Sequence, residues 1–479
     1  MPESLKTKTV NGLKWSAIER FSTQGVQFVI QIFLARLLLP SDYGVIAMLA
    51  IFIAISQSFV DSGFSNALIR KLDRDEDDFT TAFLFNIGVG LFFYGILYIS
   101  SPLIATFYNL PLLSPITKVL GFSVFFNSLC IVQQAILTIR LDFKTQMYVS
   151  LFSVLIAGGI AIIMAYKGYG AWALVWQVII STFLRTVLLW ILVGWRPKGR
   201  FTRKSFKALF GFGSKLLASG LLDTVYKNIY LIVIGKLYAS NTLGFYAKAK
   251  DFSFYPASSI TSIIQRVTYP VLSEIQNEDE RLRTNYRKLL RLSAFVFFPL
   301  MIGLSAVADP LVRLLLTDKW ESSILLLQIL CFAMMWYPIH AINLNLLQVK
   351  GRSDLFLKLE VIKKILTTLT LAVTFPFGIE VMCYGQVFNS IVTLSINTYY
   401  TGKLIRVGFL TQMKDVMPTL LICLLMLGVI YSCNMFIEGN VLKLFVDIII
   451  GIIIYLVGSL LFLKYECNET LNIMRDNIF

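Results

Sequence analysis

Seven ionisable side chains stand far inside long apolar runs of this chain: Glu19, Arg20, Asp61, Arg185, Lys215, Asp223 and Lys250. Ionisable groups at bilayer depth are costly, and by default they mark a pathway. Arg185 lies 13 residues past Trp172 and 10 before Trp195, two interface anchors, which puts it near mid-membrane at ~1.5 Å per residue. Cations outnumber carboxylates in this set, which suits a large anionic cargo, because Lys and Arg hold phosphate through charge-assisted hydrogen bonds. Arg20, Arg185, Lys215 and Lys250 are therefore the candidate substrate-binding residues. The carboxylates could hold the cations in place or take up a coupling H⁺ or Na⁺. Asp61 ranks first for that role, since its sequence neighbours Gln57 and Asn66 are uncharged, and Glu19 beside Arg20 ranks second. Asp223 shares a helix face with Lys227 at i,i+4 and reads as its structural partner.

Other charges have plainer accounts. Arg36, Lys236 and Arg266 sit near helix ends, where long stems snorkel. Lys248 and Asp251 flank Lys250, and Glu360 can pair with Lys364 four residues on. His340, the single histidine, reads as a hydrogen-bonded packing residue.

The elements that carry these residues are membrane spans. The chain has 479 residues, 57% of them hydrophobic, and a mean hydropathy of +0.72. A hydrocarbon core ~30 Å thick needs ~20 apolar residues per helix. About fourteen such segments can be drawn, near 12–38, 43–69, 79–101, 113–138, 146–166, 171–194, 210–237, 243–270, 288–308, 323–348, 356–375, 379–401, 416–436 and 442–463. The expected fold is all-α and polytopic, with no loop long enough for a soluble domain. The polar stretch 1–11 followed by a long apolar run argues against a cleavable signal peptide.

The net charge of +15 is not a nucleic-acid signature, because its distribution is that of a membrane protein. With the N-terminus inside, the inner loops collect about 25 Lys and Arg, and the outer loops only Lys167, Lys236, Arg313, Lys319 and Lys443. Both ends are then expected on the cytoplasmic side of the membrane.

The chain also repeats itself. Residues 32–47 match 232–247 at an offset of 200, with Ile32/Ile232, Leu37/Leu237, Gly44/Gly244 and Ala47/Ala247 identical. Farther on the offset drifts: Pro102-Leu103 meets Pro310-Leu311, and Arg140 meets Lys350. An even number of spans per repeat gives parallel repeats about an axis along the membrane normal. The expected organisation is an N-lobe at 1–194, a basic cytoplasmic linker at 195–209, a C-lobe at 210–401, and two further spans with a cytoplasmic tail at 402–479. The lobes would enclose a central cavity, with Pro256, Pro299, Pro338 and Gly220 as interior kink points.

Enzyme motifs are missing. No Walker A, HExxH or GxSxG pattern occurs, and the chain is expected to have no catalytic residues, cofactor or metal site. The six Cys are dispersed and read as small apolar packing residues. The acidic run Asp73–Asp78 reads as a solvated turn.

Several strings resemble a known family: LARLLLPSDYGVIAM (34–48), FVDSGFSNALIRK (59–71), GYGAWALVWQ (168–177), IGKLYASNTLGFYAKAKDF (234–252) and YPVLSEIQNEDERL (269–282). In this order they resemble Wzx-type polysaccharide flippases of the multidrug/oligosaccharidyl-lipid/polysaccharide (MOP) exporter superfamily, nearest to the WzxC-like branch. The resemblance covers nearly the whole chain. It implies fourteen helices, two six-helix lobes plus two, around a cavity that opens alternately to each side. The implied cargo is an undecaprenyl-diphosphate-linked oligosaccharide for lipopolysaccharide, exopolysaccharide or capsule synthesis, with the polysaccharide polymerase machinery as a further partner. The strings lie at loops and helix ends, so the cavity residues rest on depth and charge. Competing readings are a peptidoglycan lipid-precursor flippase, a multidrug/cation antiporter of the same superfamily, and a membrane-embedded polymerase or glycosyltransferase. An antiporter for cations would need a site dominated by carboxylates, and an enzyme would need a larger extramembrane loop.

Overall fold

The computed structural model describes residues 5–61 and 63–478, without the side chains of 5–13, 17, 212, 215, 216, 219, 267, 473, 474 and 476–478. Helices make up the fold, and no strand occurs among the described residues. The chain forms two compact units, Met1–Gly244 and Phe245–Phe479.

The first unit comprises α1 (Leu5–Leu37), α2 (Pro40–Asp61), α3 (Phe64–Arg70), α4 (Glu76–Phe107), α5 (Leu113–Leu120), α6 (Phe122–Ser128), α7 (Ile131–Ile139), α8 (Phe143–Tyr166), α9 (Ala171–Val193) and α10 (Arg203–Leu237). Helix α11 (Ser240–Glu274) starts there and continues into the second unit. The second unit goes on with α12 (Asp279–Ala306), α13 (Ala308–Leu316), α14 (Ser322–Met334), α15 (Tyr337–Val349), α16 (Ser353–Thr374), α17 (Ile379–Ile405), α18 (Phe409–Asn434), α19 (Asn440–Phe462) and α20 (Lys464–Ile478).

Among the described residues, ten helical segments are long and apolar enough to cross a membrane, and the protein is a multi-pass membrane protein. Three of the ten, Pro40–Arg70, Leu113–Ile139 and Ser322–Val349, are broken internally. Four more helices, α1, α10, α11 and α16, run for 33, 35, 35 and 22 residues. They carry Glu19 and Arg20, Lys215 and Asp223, Lys250, and Lys363, and they are not among the ten. The expected total of about fourteen spans depends on these four.

The repeat is visible in the helix boundaries. Helices α1 and α10 end at Leu37 and Leu237, and α2 and α11 begin at Pro40 and Ser240, all at an offset of 200. Helices α8 and α16 begin at Phe143 and Ser353, each after a residue of positive φ, Leu141 (57°) and Gly351 (69°). Helices α9 and α17 begin one residue after Gly170 and Gly378, which also have positive φ.

Within the first unit the two copies of one glycine meet. The backbone of Gly44 lies against the carbonyl of Ser240, and that of Gly244 against the carbonyl of Pro40. A Cβ at either position would fall well inside van der Waals distance of the opposing carbonyl oxygen. Glycine is required for so close an approach of two backbones.

The loop before α10 is shorter than the expected linker, since α10 already starts at Arg203. It is held against the first turns of α4. Trp195 Nε1 donates to Glu76, the Gly199 amide to Thr80, the Arg200 amide to Asp77 and the Thr202 amide to Thr81. In the acidic run at the start of α4, Asp73, Asp75 and Glu76 are exposed, as expected of a solvated turn, while Asp78 is buried. Asp75 caps α4 in a reciprocal capping box with Asp78. The buried Asp78 carboxylate accepts from Lys71 Nζ at 2.5 Å. That hydrogen bond holds the Lys71 ammonium above its ordinary range. Phe64, Leu68, Phe83, Val132 and Leu189 pack beneath it as part of one apolar core.

Candidate functional site

A cavity of ≈ 480 Å³ lies inside the first unit, where the broken end of α2–α3 faces α7 and α10. Asp61 is the last residue of α2, directly before the break around Gly63 (φ 71°). The expected span over 43–69 falls within the span Pro40–Arg70, which is interrupted at this point. A broken membrane helix frees backbone polar groups, which is tolerated where they line a cavity.

Asp61 shares the cavity wall with Asp223 and Lys227 of α10, together with Ser58, Asn66 and Gln134. Ser58 and Thr224 are hydrogen-bonded at 3.0 Å and tie α2 to α10. Arg185 on α9 interacts through space with both Asp61 and Cys130. Gln134 donates to Cys130 Sγ at 3.0 Å, and Gln57 accepts from Asn127 at 2.5 Å. The site is thus a mixed-charge pocket: two carboxylates and a lysine on the wall, with a guanidinium in electrostatic reach. It can bind a polar ligand of either sign and can exchange a small cation.

The structure brings together Asp61, Asp223 and Arg185 of the seven candidates. Glu19 and Arg20 lie on α1, which packs mainly on α8, and they do not line this cavity. Lys215 is on α10, two residues before the wall residue Leu217, and its side chain lies outside the described residues. Lys250 belongs to the second unit, where it interacts with Asp251 on the same helix, close to the buried Lys248. Ser58, Gln134 and Thr224 are wall or tie residues that sequence reasoning did not single out. Their signal was present as small polar residues inside apolar runs.

Polar groups of the second unit are mostly matched with one another. Gln412 and Asn343 exchange hydrogen bonds at 3.0 and 3.1 Å, and Gln412 also reaches Thr401 and Tyr286. His340 bonds Ser390 and Asn397, each at 3.2 Å, as expected of a packing residue. Glu360 pairs with Lys363, three residues on. All six Cys are free of disulfides. No group of His, Cys, Asp and Glu able to hold a metal ion is found among the described residues.

A family profile described as "Polysaccharide biosynthesis protein" matches residues 33–325. The lipopolysaccharide biosynthesis protein WzxC of Escherichia coli is 28% identical over 400 residues, covering 82% of this chain and 78% of its own. The teichuronic acid biosynthesis protein TuaB of Bacillus subtilis is 25% identical over 460 residues, 95% of each chain. The succinoglycan biosynthesis transport protein ExoT of Rhizobium meliloti is 22% identical over 321 residues, 67% of this chain and 65% of its own. Among solved structures, the lipid II flippase MurJ in an inward closed conformation superposes with a TM-score of 0.77 at 15% identity, over 94% of this chain and 98% of its own. An inward-facing multidrug resistance MATE transporter of the MOP superfamily gives 0.63 at 14% identity, over 80% and 96%. At these identities the likeness to solved structures is one of fold.

Proposed function

Because the chain belongs to the polysaccharide biosynthesis protein family, we propose that it moves a lipid-linked oligosaccharide, carried on undecaprenyl diphosphate, from the inner to the outer leaflet of a bacterial inner membrane. The observation that carries this reading is the charged cavity of the first unit, lined by α2, α3, α7 and α10 of a multi-pass bundle. Arg185 and Lys227 supply hydrogen-bond donors for a diphosphate or an acidic sugar. Arg20, Lys215 and Lys250 are further contacts in other states of the transport cycle. Helices α1, α10, α11 and α16 complete a fourteen-span bundle in two lobes, and a polysaccharide polymerase would consume the product.

The reading is tested in proteoliposomes loaded with undecaprenyl-diphosphate-linked oligosaccharide, with a peptidoglycan lipid precursor and a cationic drug as alternative cargoes. Movement of the first alone supports it. The drug-antiporter reading keeps one observation in its favour, the two wall carboxylates Asp61 and Asp223. Efflux of the drug without movement of the lipid would establish that reading instead.

Transport without an ATP site runs downhill or draws on an ion gradient. Alternating access then needs a group whose charge differs between the two open states, since a ligand shifts an equilibrium only by its differential affinity. Asp61 on the cavity wall is that group, with Glu19 second and Asp223 held by its helix partner. Asp61→Asn is expected to remove the dependence of transport on an imposed H⁺ or Na⁺ gradient, while Glu19→Gln alters it less. Gradient dependence unchanged in both variants would place coupling elsewhere.

Orientation follows from the charge count: both termini and Lys198 cytoplasmic, Lys319 outside. Single cysteines at Lys198 and Lys319 are expected to react with impermeant reagent from opposite faces. Labelling from one face would overturn the topology.

A further inference from the structure

The second unit contains its own cavity, of ≈ 230 Å³, walled by α12, α18 and α19. Its wall is apolar except for Asp447 and Tyr455. Asp447 sits seven residues beyond the start of α19 and is 0% exposed. Asn434, the last residue of α18, donates from Nδ2 to Asp447 Oδ2 at 3.1 Å. Among the described residues, Asp447 Oδ1 and Asn434 Oδ1 are left buried and without a hydrogen-bond partner.

Both atoms are acceptors, so an ionised Asp447 and the Asn434 amide cannot satisfy each other. One proton on Asp447 Oδ1 resolves both at once. The carboxyl O–H donates to Asn434 Oδ1 while Asn434 Nδ2 still donates to Oδ2, which gives a reciprocal acid–amide pair. The proton adds one positive charge and makes the buried carboxyl neutral, the form that burial tolerates. The surrounding groups supply no ion pair to Asp447 among the described residues. Lys443, one turn earlier on α19, and Asp309 of α13 act on it through space with opposite signs. Asp309 is itself bound by Arg313 at 2.8 Å. Tyr431 of α18 faces the same two carboxyls, and the Tyr455 hydroxyl donates to the Phe295 carbonyl.

We propose that Asp447 and Asn434 form a proton-binding site in the second unit, exchanging H⁺ through the cavity beside it. This site is additional to Asp61 and does not depend on the identity of the cargo.

The test is an infrared pH titration of the full chain in nanodiscs, with Asp447→Asn, Asn434→Ala and wild type compared. Wild type is expected to show a protonated-carboxyl C=O band that shifts on H/D exchange and is absent in Asp447→Asn. Asn434→Ala should move the pH midpoint of that band. Asp447→Asn keeps a donor toward Asn434 and is expected to fold. If it does not, the midpoint shift in Asn434→Ala carries the test alone. Bands identical in all three proteins would overturn the proposal. So would a melting temperature that Na⁺ raises in wild type and not in Asp447→Asn, which would make this a metal-cation site.

Discussion

Arg185→Ala is expected to abolish lipid-linked oligosaccharide export while the protein remains in the membrane at normal abundance. Arg185 acts through space on Asp61, which lines the cavity of the first unit, so its removal takes away a donor for anionic cargo and a cation that favours the charged form of that carboxylate. A hydrogen bond to a charged group is worth about 1.5–3 kcal/mol, roughly one to two orders of magnitude in binding. Arg185→Lys keeps the charge but not the planar fork, and should restore transport only in part. Export is read by a flipping assay and abundance by immunoblot. The pair predicts coupling as well: Arg185→Ala in an Asp61→Asn background should cost less stability than in wild type, because residues in electrostatic contact do not act additively. Normal export by Arg185→Ala would remove this residue from the site.

The largest structural effect is expected from adding a single methyl group to Gly44 or Gly244. In each case the atom in the way is a backbone carbonyl of the other helix start, which cannot rotate aside as a side chain would. Overpacking of this kind typically costs about 1–3 kcal/mol, or roughly 2–12 °C of melting temperature for a unit this size. Gly88→Ala and Gly159→Ala are the matched controls, since a Cβ there meets nothing within 4 Å. Differential scanning fluorimetry should show a clear loss for Gly44→Ala and Gly244→Ala and none for the controls. The double variant should fall short of the sum, because both glycines serve one crossing. Equal melting of all four single variants would show that the crossing is loose.

The Gly44/Gly244 identity was readable as a match at an offset of 200, and the helix boundaries around it follow from apolar period and Pro40. That the two glycines pack against each other's helix start was not readable, because a repeat says what recurs and not what touches. Asp61 was found from its depth, but the Arg185 that acts on it through space is 124 residues away in sequence, and such a relation is decided by helix packing. The segment near 113–138 looked like one span. The span Leu113–Ile139 does occur, but it is interrupted into α5, α6 and α7, which hydropathy cannot register because the apolar content is high throughout. Asp447 was missed outright: one carboxylate in a strongly apolar run left the segment's average unchanged, and its partner Asn434 lies across a loop on another helix. The acidic run at the start of α4 is legible as solvated at Asp73, Asp75 and Glu76, but not at the buried Asp78. Charge density suggested solvent, while capping of α4 and pairing with Lys71 hold Asp75 and Asp78 in the structure.

The polarity of α1, α10, α11 and α16 has a consequence for how the protein is made. A charged residue near the centre of a helix costs about 2.5–3.5 kcal/mol at the translocon. Helix α10, with Asp223 and Lys227 within about one turn of each other, is therefore a poor autonomous entrant into lipid. Its partners α2, α3 and α4 are synthesised earlier and already offer Ser58 and the polar cavity wall. Biogenesis should accordingly be cooperative: α10 stays at the insertion machinery until the preceding hairpins can receive it, and truncation just after Leu237 should leave it membrane-embedded only when α2 is intact.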